Sequence, residues 1–130
     1  MKLLLLLIGV TVTYSLNVKP EMIEKWDKII EPHRQKCVEE SNVDANEAKN
    51  FMKADTIPQD KSFKCYLKCL MLQLGLMDDA GKINAEEIKK LDPEADAGAD
   101  ECLKIGSDPD ICESAFKYTA CTLHNLASKR

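Results

Sequence analysis

Residues 61–75 read KSFKCYLKCLMLQLG. Within them Phe63, Tyr66, Leu67, Leu70, Met71 and Leu74 recur at helical spacing, and Cys65, Cys69 and Leu72 widen the stripe. Lys61, Lys64 and Lys68 take the remaining face, and Gly75 stands where a helix stops. A helix this apolar belongs at the centre of its domain, covered by other helices.

The flanking sequence supplies such helices. Met22, Ile23, Trp26, Ile29 and Ile30 form an amphipathic stripe that opens at Pro20. Pro32 predicts a break or kink after Glu31, with a second segment from His33 to about Glu40. Asp44, with Glu47 three residues on, predicts a short capped helix through Met52. Beyond the central segment, Asp78 to Gly81 reads as a turn. Asn84 caps a helix to about Leu91, with Glu87 at its third position and an Ile83–Ile88 staple. A helix containing Cys102 ends at Gly106, and Asp108-Pro109 reads as the start of a last helix reaching about Ala127. The inner face of that helix is expected to carry Cys112, Ala115, Phe116, Thr119, Leu123 and Leu126. No stretch sustains a period of two. The fold class is all-α, a compact bundle of about six helices.

Composition fits one globular domain. The chain has 130 residues, 45% hydrophobic and 31% charged, with a net charge of −4. An acidic chain with no basic patch is a poor partner for nucleic acid or an anionic membrane surface. At the N-terminus, Lys2 precedes the apolar run Leu3–Val12, and Thr13 and Ser15 are small residues at −3 and −1 of a cut after Ser15. This is the layout of a secretory signal, too short to span a bilayer. The expected domain is residues 16–130, secreted, with no membrane insertion.

Secretion makes the six cysteines candidates for three disulfides. Their spacing is Cys37-x27-Cys65-x3-Cys69-x32-Cys102-x9-Cys112-x8-Cys121. No Cys-x-x-Cys occurs, which weakens zinc and redox readings. Cys65 and Cys69 lie one turn apart on one helix face, with near-parallel Cβ directions, so they do not bond to each other. Cys112 and Cys121 point to opposite sides of one helix, roughly 13 Å apart along its axis. Of the fifteen pairings that six cysteines allow, those containing either bond fall away and the rest stay open.

A search for catalytic chemistry is negative. His33 and His124 are the two histidines, neither beside an evident nucleophile. Glu39–Glu40 and Glu86–Glu87 are neighbours on helices and do not converge on a substrate. Leu76–Glu87 imitates a calcium-binding loop but lacks carboxylates at its first and fifth positions, Leu76 and Ala80. No phosphate loop or cofactor motif is present; the expectation is a non-enzyme without cofactor or metal.

The cysteine spacing resembles that of the six-cysteine insect odorant-binding proteins, the family of general odorant-binding and pheromone-binding proteins. Three residues between the second and third cysteine and eight between the fifth and sixth are its tightest spacings; Cys65 to Cys69 and Cys112 to Cys121 match both. Lys64–Cys69, Leu74–Asp79 and Gly81–Ile83 are also similar to it. The resemblance implies bonds Cys37–Cys69, Cys65–Cys112 and Cys102–Cys121. It implies an enclosed apolar cavity that carries odorants or pheromones through aqueous lymph to membrane receptors. The ligand-binding residues then expected are Phe63, Tyr66, Leu67, Leu70, Met71 and Leu74 of the central helix, Ile88 and Leu91 of the next, and Phe116, Thr119 and Leu123 of the last. Tyr66 and Thr119 are the polar candidates. For each residue, ordinary core packing is the plain alternative. The protein would act as a monomer or weak homodimer. Two rival functions stand beside this one: a secreted carrier or scavenger outside olfaction, and a disulfide-rich interaction protein with a filled core.

Overall fold

The computed structural model describes residues 18–54, 56–93, 101–104 and 108–128, with side chains of the last helix through His124. The proposed cut after Ser15 and the helix end near Gly106 lie outside the described residues. Five bounded helices are α1 (Pro20–Ser41), α2 (Ala45–Asn50), α3 (Lys61–Gln73), α4 (Ala85–Leu91) and α5 (Ile111–Ser128). Glu101–Leu103 add a further helical stretch. No strand forms among the described residues; a single antiparallel bridge joins Met77 to Ile83 across the Asp78–Gly81 turn. The all-α class and the three cross-links hold.

Pro32 does not end a helix. It sits inside α1, a single helix of 22 residues. A proline there removes one backbone hydrogen bond and crowds the preceding turn. Ion pairs within the helix and burial on both sides of the proline offset that preference. Arg34 bridges back across the proline to both Asp27 and Glu31. Ile30 and Cys37, on either side of it, are both buried.

The start of the last helix also differs from expectation. It begins at Ile111, with Asp110 accepting from the Cys112 N–H through its side chain (2.9 Å) and from the Ser114 N–H through its carbonyl (3.0 Å). Asp108 instead accepts from the Asp110 N–H at 2.9 Å, a side-chain turn that delays the helix by two residues. Other caps fall as read. Asp44 accepts from the Asn46 and Glu47 N–H groups, and Asn84 from Glu87. At the end of α3, the Leu76 N–H reaches the Met71 carbonyl and Gly75 that of Leu72, a closure that requires the positive φ of Gly75 (72°).

The core centres on α3, which packs against α5 on one side and α1 on the other. Its Phe63 and Tyr66 are completely buried. The three disulfides join Cys37 to Cys69, Cys65 to Cys112, and Cys102 to Cys121. They tie α1 to α3, α3 to α5, and the Glu101–Leu103 stretch to α5. Contacts Lys61–Asp110, Lys64–Glu113 and Thr119–Met71 keep a nearly constant offset along the chain. Helices α3 and α5 therefore run side by side in the same direction, with their N-termini adjacent. Parallel dipoles repel; carboxylates at the positive ends, Asp60 on α3 and Asp110 on α5, counter that.

Candidate functional site

A cavity of about 100 Å³ lies where α1, α3 and α5 meet. Its wall is almost wholly apolar. Helix α1 contributes Trp26 and Ile30, and the segment after α2 contributes Phe51 and Met52. Leu67, Leu70, Met71 and Leu74 come from α3, Leu76 from the turn behind it, and Ile88 from α4. Tyr118, Thr119, Thr122 and Leu123 close it from α5. The α3 set has the i, i+3, i+4, i+7 spacing of one helix face, so a single stripe forms a continuous wall. Two flexible methionines, Met52 and Met71, suit a wall that must fit irregular shapes.

Seven of the eleven expected ligand-binding residues lie on this wall: Leu67, Leu70, Met71, Leu74, Ile88, Thr119 and Leu123. Phe63, Tyr66, Leu91 and Phe116 do not. Phe63 shares the α3 stripe one turn higher, where Phe51 covers it edge-on at 5.2 Å between centroids. Tyr66 points toward α2 and donates its hydroxyl to the Ala48 carbonyl at 3.3 Å. Burial pushes its phenol up in pKa, against the lowering influence of nearby Arg34. Leu91 is half-buried at the edge of the core. Phe116 lies beneath the Lys64 ammonium, 4.7 Å from its ring centroid.

Cys112, Ala115 and Leu123 are buried as the inner face of α5, while the cavity wall draws on 118, 119, 122 and 123. The wall set lies further along α5, shares Thr119 and Leu123 with that face, and extends it sideways to Tyr118 and Thr122. The Cys65–Cys112 bond and the Lys64–Phe116 contact turn Phe116 toward the charged seam and bring Tyr118 inward. Trp26, Ile30, Phe51, Met52, Leu76, Tyr118 and Thr122 escaped the sequence reading. Trp26 and Ile30 stand four apart in the α1 stripe, which marks them as buried but not as facing a void.

Several polar groups near the cavity are held. The Trp26 indole donates to Asp92 at 3.0 Å, and the Lys25 ammonium lies 3.3 Å from the other oxygen. Asp92 is completely buried and also caps α4, its N–H bonding to the Ile88 carbonyl. One carboxylate therefore anchors α1, through the wall residue Trp26, to the end of α4. In the wall itself, Thr122 donates to the Thr119 carbonyl at 2.9 Å, and the Thr119 hydroxyl to the Met71 sulfur at 3.8 Å.

Asp78, read as part of a calcium-like loop, accepts the Ala80 and Lys82 N–H groups at 2.9 Å each, a turn-forming role. Among the described residues, no group of three or more His, Cys, Asp or Glu is placed to hold a metal ion, and no helix is long and apolar enough to cross a membrane.

The model of the PBP/GOBP family matches residues 19–125, which span all five helices except the last three residues of α5. The chain belongs to the PBP/GOBP family. Its similarity to curated members is distributed along its length. General odorant-binding protein 19d of Drosophila melanogaster is 28% identical, over 94% of this chain and 87% of its own. Odorant-binding protein 10 of Aedes aegypti is 28% identical, over 70% of this chain and 69% of its own. Among solved structures, a fatty acid binding protein, OBP56a, from the oral disk of the blowfly Phormia regina superposes with a TM-score of 0.58 at 25% identity. That match covers 75% of this chain and 89% of the blowfly protein. The fold of this PBP/GOBP member is thus an odorant-binding-protein fold, and its disulfides fit an oxidising, extracellular setting.

Proposed function

We propose that this protein is a secreted carrier of small hydrophobic molecules, held in the cavity between α1, α3 and α5 and delivered through aqueous lymph to membrane receptors. The observation that carries the reading is the apolar wall contributed by α1, α3, α4 and α5 together in a PBP/GOBP family member. Affinity would come from removing ligand surface from water, about 25 cal/mol per Å² of apolar area. The protein would bind and release without altering its cargo, as a monomer or weak homodimer. Leu67, Leu70, Met71, Leu74, Ile88, Thr119 and Leu123 would touch the ligand, joined by Trp26, Ile30 and Tyr118. Cleavage after Ser15 would release residues 16–130 as the secreted domain.

The chain has one tryptophan, and it lines the cavity. Titrating an uncharged naphthylamine probe into the oxidised protein should quench Trp26 saturably, with one site. Volatile alcohols, aldehydes and esters should then displace the probe. A folded protein that shows neither quenching nor displacement would sink the carrier reading and favour a protein partner. A second reading, a carrier outside olfaction, is favoured by the blowfly neighbour, which is a fatty acid binding protein from the oral disk. Expression in chemosensory tissue other than antennae would select it.

A further inference from the structure

Cargo has to reach the cavity, and its wall is not equally fixed all round; this inference rests on the carrier reading above. Four wall residues are partly exposed, Trp26, Leu74, Thr119 and Thr122, and the others are buried. These four mark where the wall is thin. Leu74 stands at the C-cap of α3, which holds two disulfide cysteines, Cys65 and Cys69. Thr119 and Thr122 belong to α5, which also holds two, Cys112 and Cys121, the second next to Thr122. Helix α1 holds one, Cys37, eleven residues beyond Trp26 and about 16 Å further along the axis. Trp26 is therefore the partly exposed wall residue with the least covalent restraint.

Pro32 stands between Trp26 and Cys37. It has no N–H to give the Lys28 carbonyl, so α1 resists bending least at that point. The half before it, residues 20–31, carries both α1 wall residues, Trp26 and Ile30. Polar contacts hold this half shut. Asp92, at the end of α4, accepts the Trp26 indole N–H at 3.0 Å on one oxygen and the Lys25 ammonium at 3.3 Å on the other. Arg34 spans the proline to Asp27 and Glu31 and keeps the two halves in line. Met22 and Ile30 are buried, so an outward swing exposes apolar surface and stays a minor state. The Lys25 side chain is 42% exposed, so water readily takes its place on Asp92.

We propose that cargo enters and leaves between the first half of α1 and α4, when residues 20–31 swing outward about Pro32. The Asp92 carboxylate is the latch of that opening, acting through Lys25 and Trp26. Asp92 and Lys25 are thus positioning residues: they set how fast cargo exchanges without touching it. An opening that is equally easy with and without cargo multiplies the association and dissociation rates by one factor. It leaves the affinity unchanged.

The test is stopped-flow mixing of the naphthylamine probe with the whole oxidised protein, beside an equilibrium titration. Trp26 quenching and the probe's own emission both report the rates. Lys25→Met loosens the latch and should raise the association and dissociation rates together, by about threefold. Pro32→Ala restores the missing backbone donor at an exposed position and should slow both together, by at least about threefold. In each variant Kd should stay within about twofold of the parent. Opposite shifts in the two variants, each in both rates, are not what a mere change of stability or of wall contacts produces. Rates unchanged in either folded variant would overturn the hinged opening. So would a change confined to the dissociation rate with Kd moving in step, because the residue would then act on affinity; the carrier function would stand. Absence of probe binding by the folded parent protein would remove the carrier reading, and this inference with it.

Discussion

The α3–α5 pair has two ends that are built differently. At the N-terminal end the helices are linked by the Cys65–Cys112 bond and by the Lys61–Asp110 and Lys64–Glu113 ion pairs, with Lys64 also over Phe116. Lys117 and Asp108 add a pair at the same end, at 2.8 Å. Further along, Leu67, Leu70, Met71 and Leu74 face Thr119, Thr122 and Leu123 across an unfilled space. The seam is polar and covalent; the wall is apolar and incompletely packed. A void forfeits packing energy and leaves neighbouring side chains free to collapse into it. Fixing both helices at their N-terminal ends limits that collapse. The lesson is a division of labour on one helix pair: cross-links set the separation, and apolar side chains use the gap.

Substitutions on each side should separate stability from uptake. The largest effect is expected on the seam. Replacing Cys65 and Cys112 together by Ser should lower stability by about 2–5 kcal/mol in urea unfolding. Probe affinity should also fall, because the gap is no longer held. Unchanged affinity in the folded double variant would show that apolar packing alone maintains the cavity.

Next is the anchor behind the wall. Asp92→Ala removes the acceptor of the Trp26 indole and the partner of Lys25, and should cost about 1–3 kcal/mol. It should also shift Trp26 emission as the indole loses its fixed partner. An unshifted spectrum would mean that packing, not Asp92, positions the indole.

On the cavity side the signs reverse. Thr122→Leu adds apolar volume to the wall and should leave stability equal or raised by up to about 1 kcal/mol. Probe uptake should weaken about tenfold. Full uptake in this variant would place the binding space elsewhere.

The smallest effect is the acid response of the seam. The hydrogen bond from Lys117 holds the Asp108 carboxyl below its usual 3.8, and that from Lys61 does the same for Asp110. A depressed folded value stabilises the fold above the unfolded value and loses that contribution as pH falls through the folded one. The expected outcome is a modest drop in melting temperature below about pH 4, smaller in the Asp108→Asn, Asp110→Asn double variant. Because these carboxylates are partly exposed, added salt should shrink the difference. An identical acid response in both proteins would assign it to other carboxylates.

Legibility in the sequence followed the range of the interaction. The α3 stripe, the caps at Asp44 and Asn84 and the stop at Gly75 were readable because helix period, capping and positive φ act over a few residues. Pro32 and Asp108 misled for different reasons. A local preference at Pro32 was outweighed by Arg34 reaching back to Asp27 and Glu31, and by burial on both sides of the proline. At Asp108 a side-chain turn competed with the cap and moved the helix start to Ile111. The wall was partly legible: any apolar helix face must be covered, but the pattern does not distinguish covering by side chains from covering by a cavity. Phe63 and Leu67 lie on the same stripe, and it is Phe51, distant in sequence, that packs on the first and leaves the second facing the void.

By itself the sequence determined an all-α chain, the approximate places of its helices and a spacing of six cysteines distinctive enough to resemble one family. These follow from local periodicity and from the positions of covalent partners along the chain. Tertiary structure alone decided which way α5 is turned about its axis, that Trp26 rests on Asp92, and which apolar residues border a space of about 100 Å³. Those features depend on how helices from distant parts of the chain meet, and no period within a single helix records that.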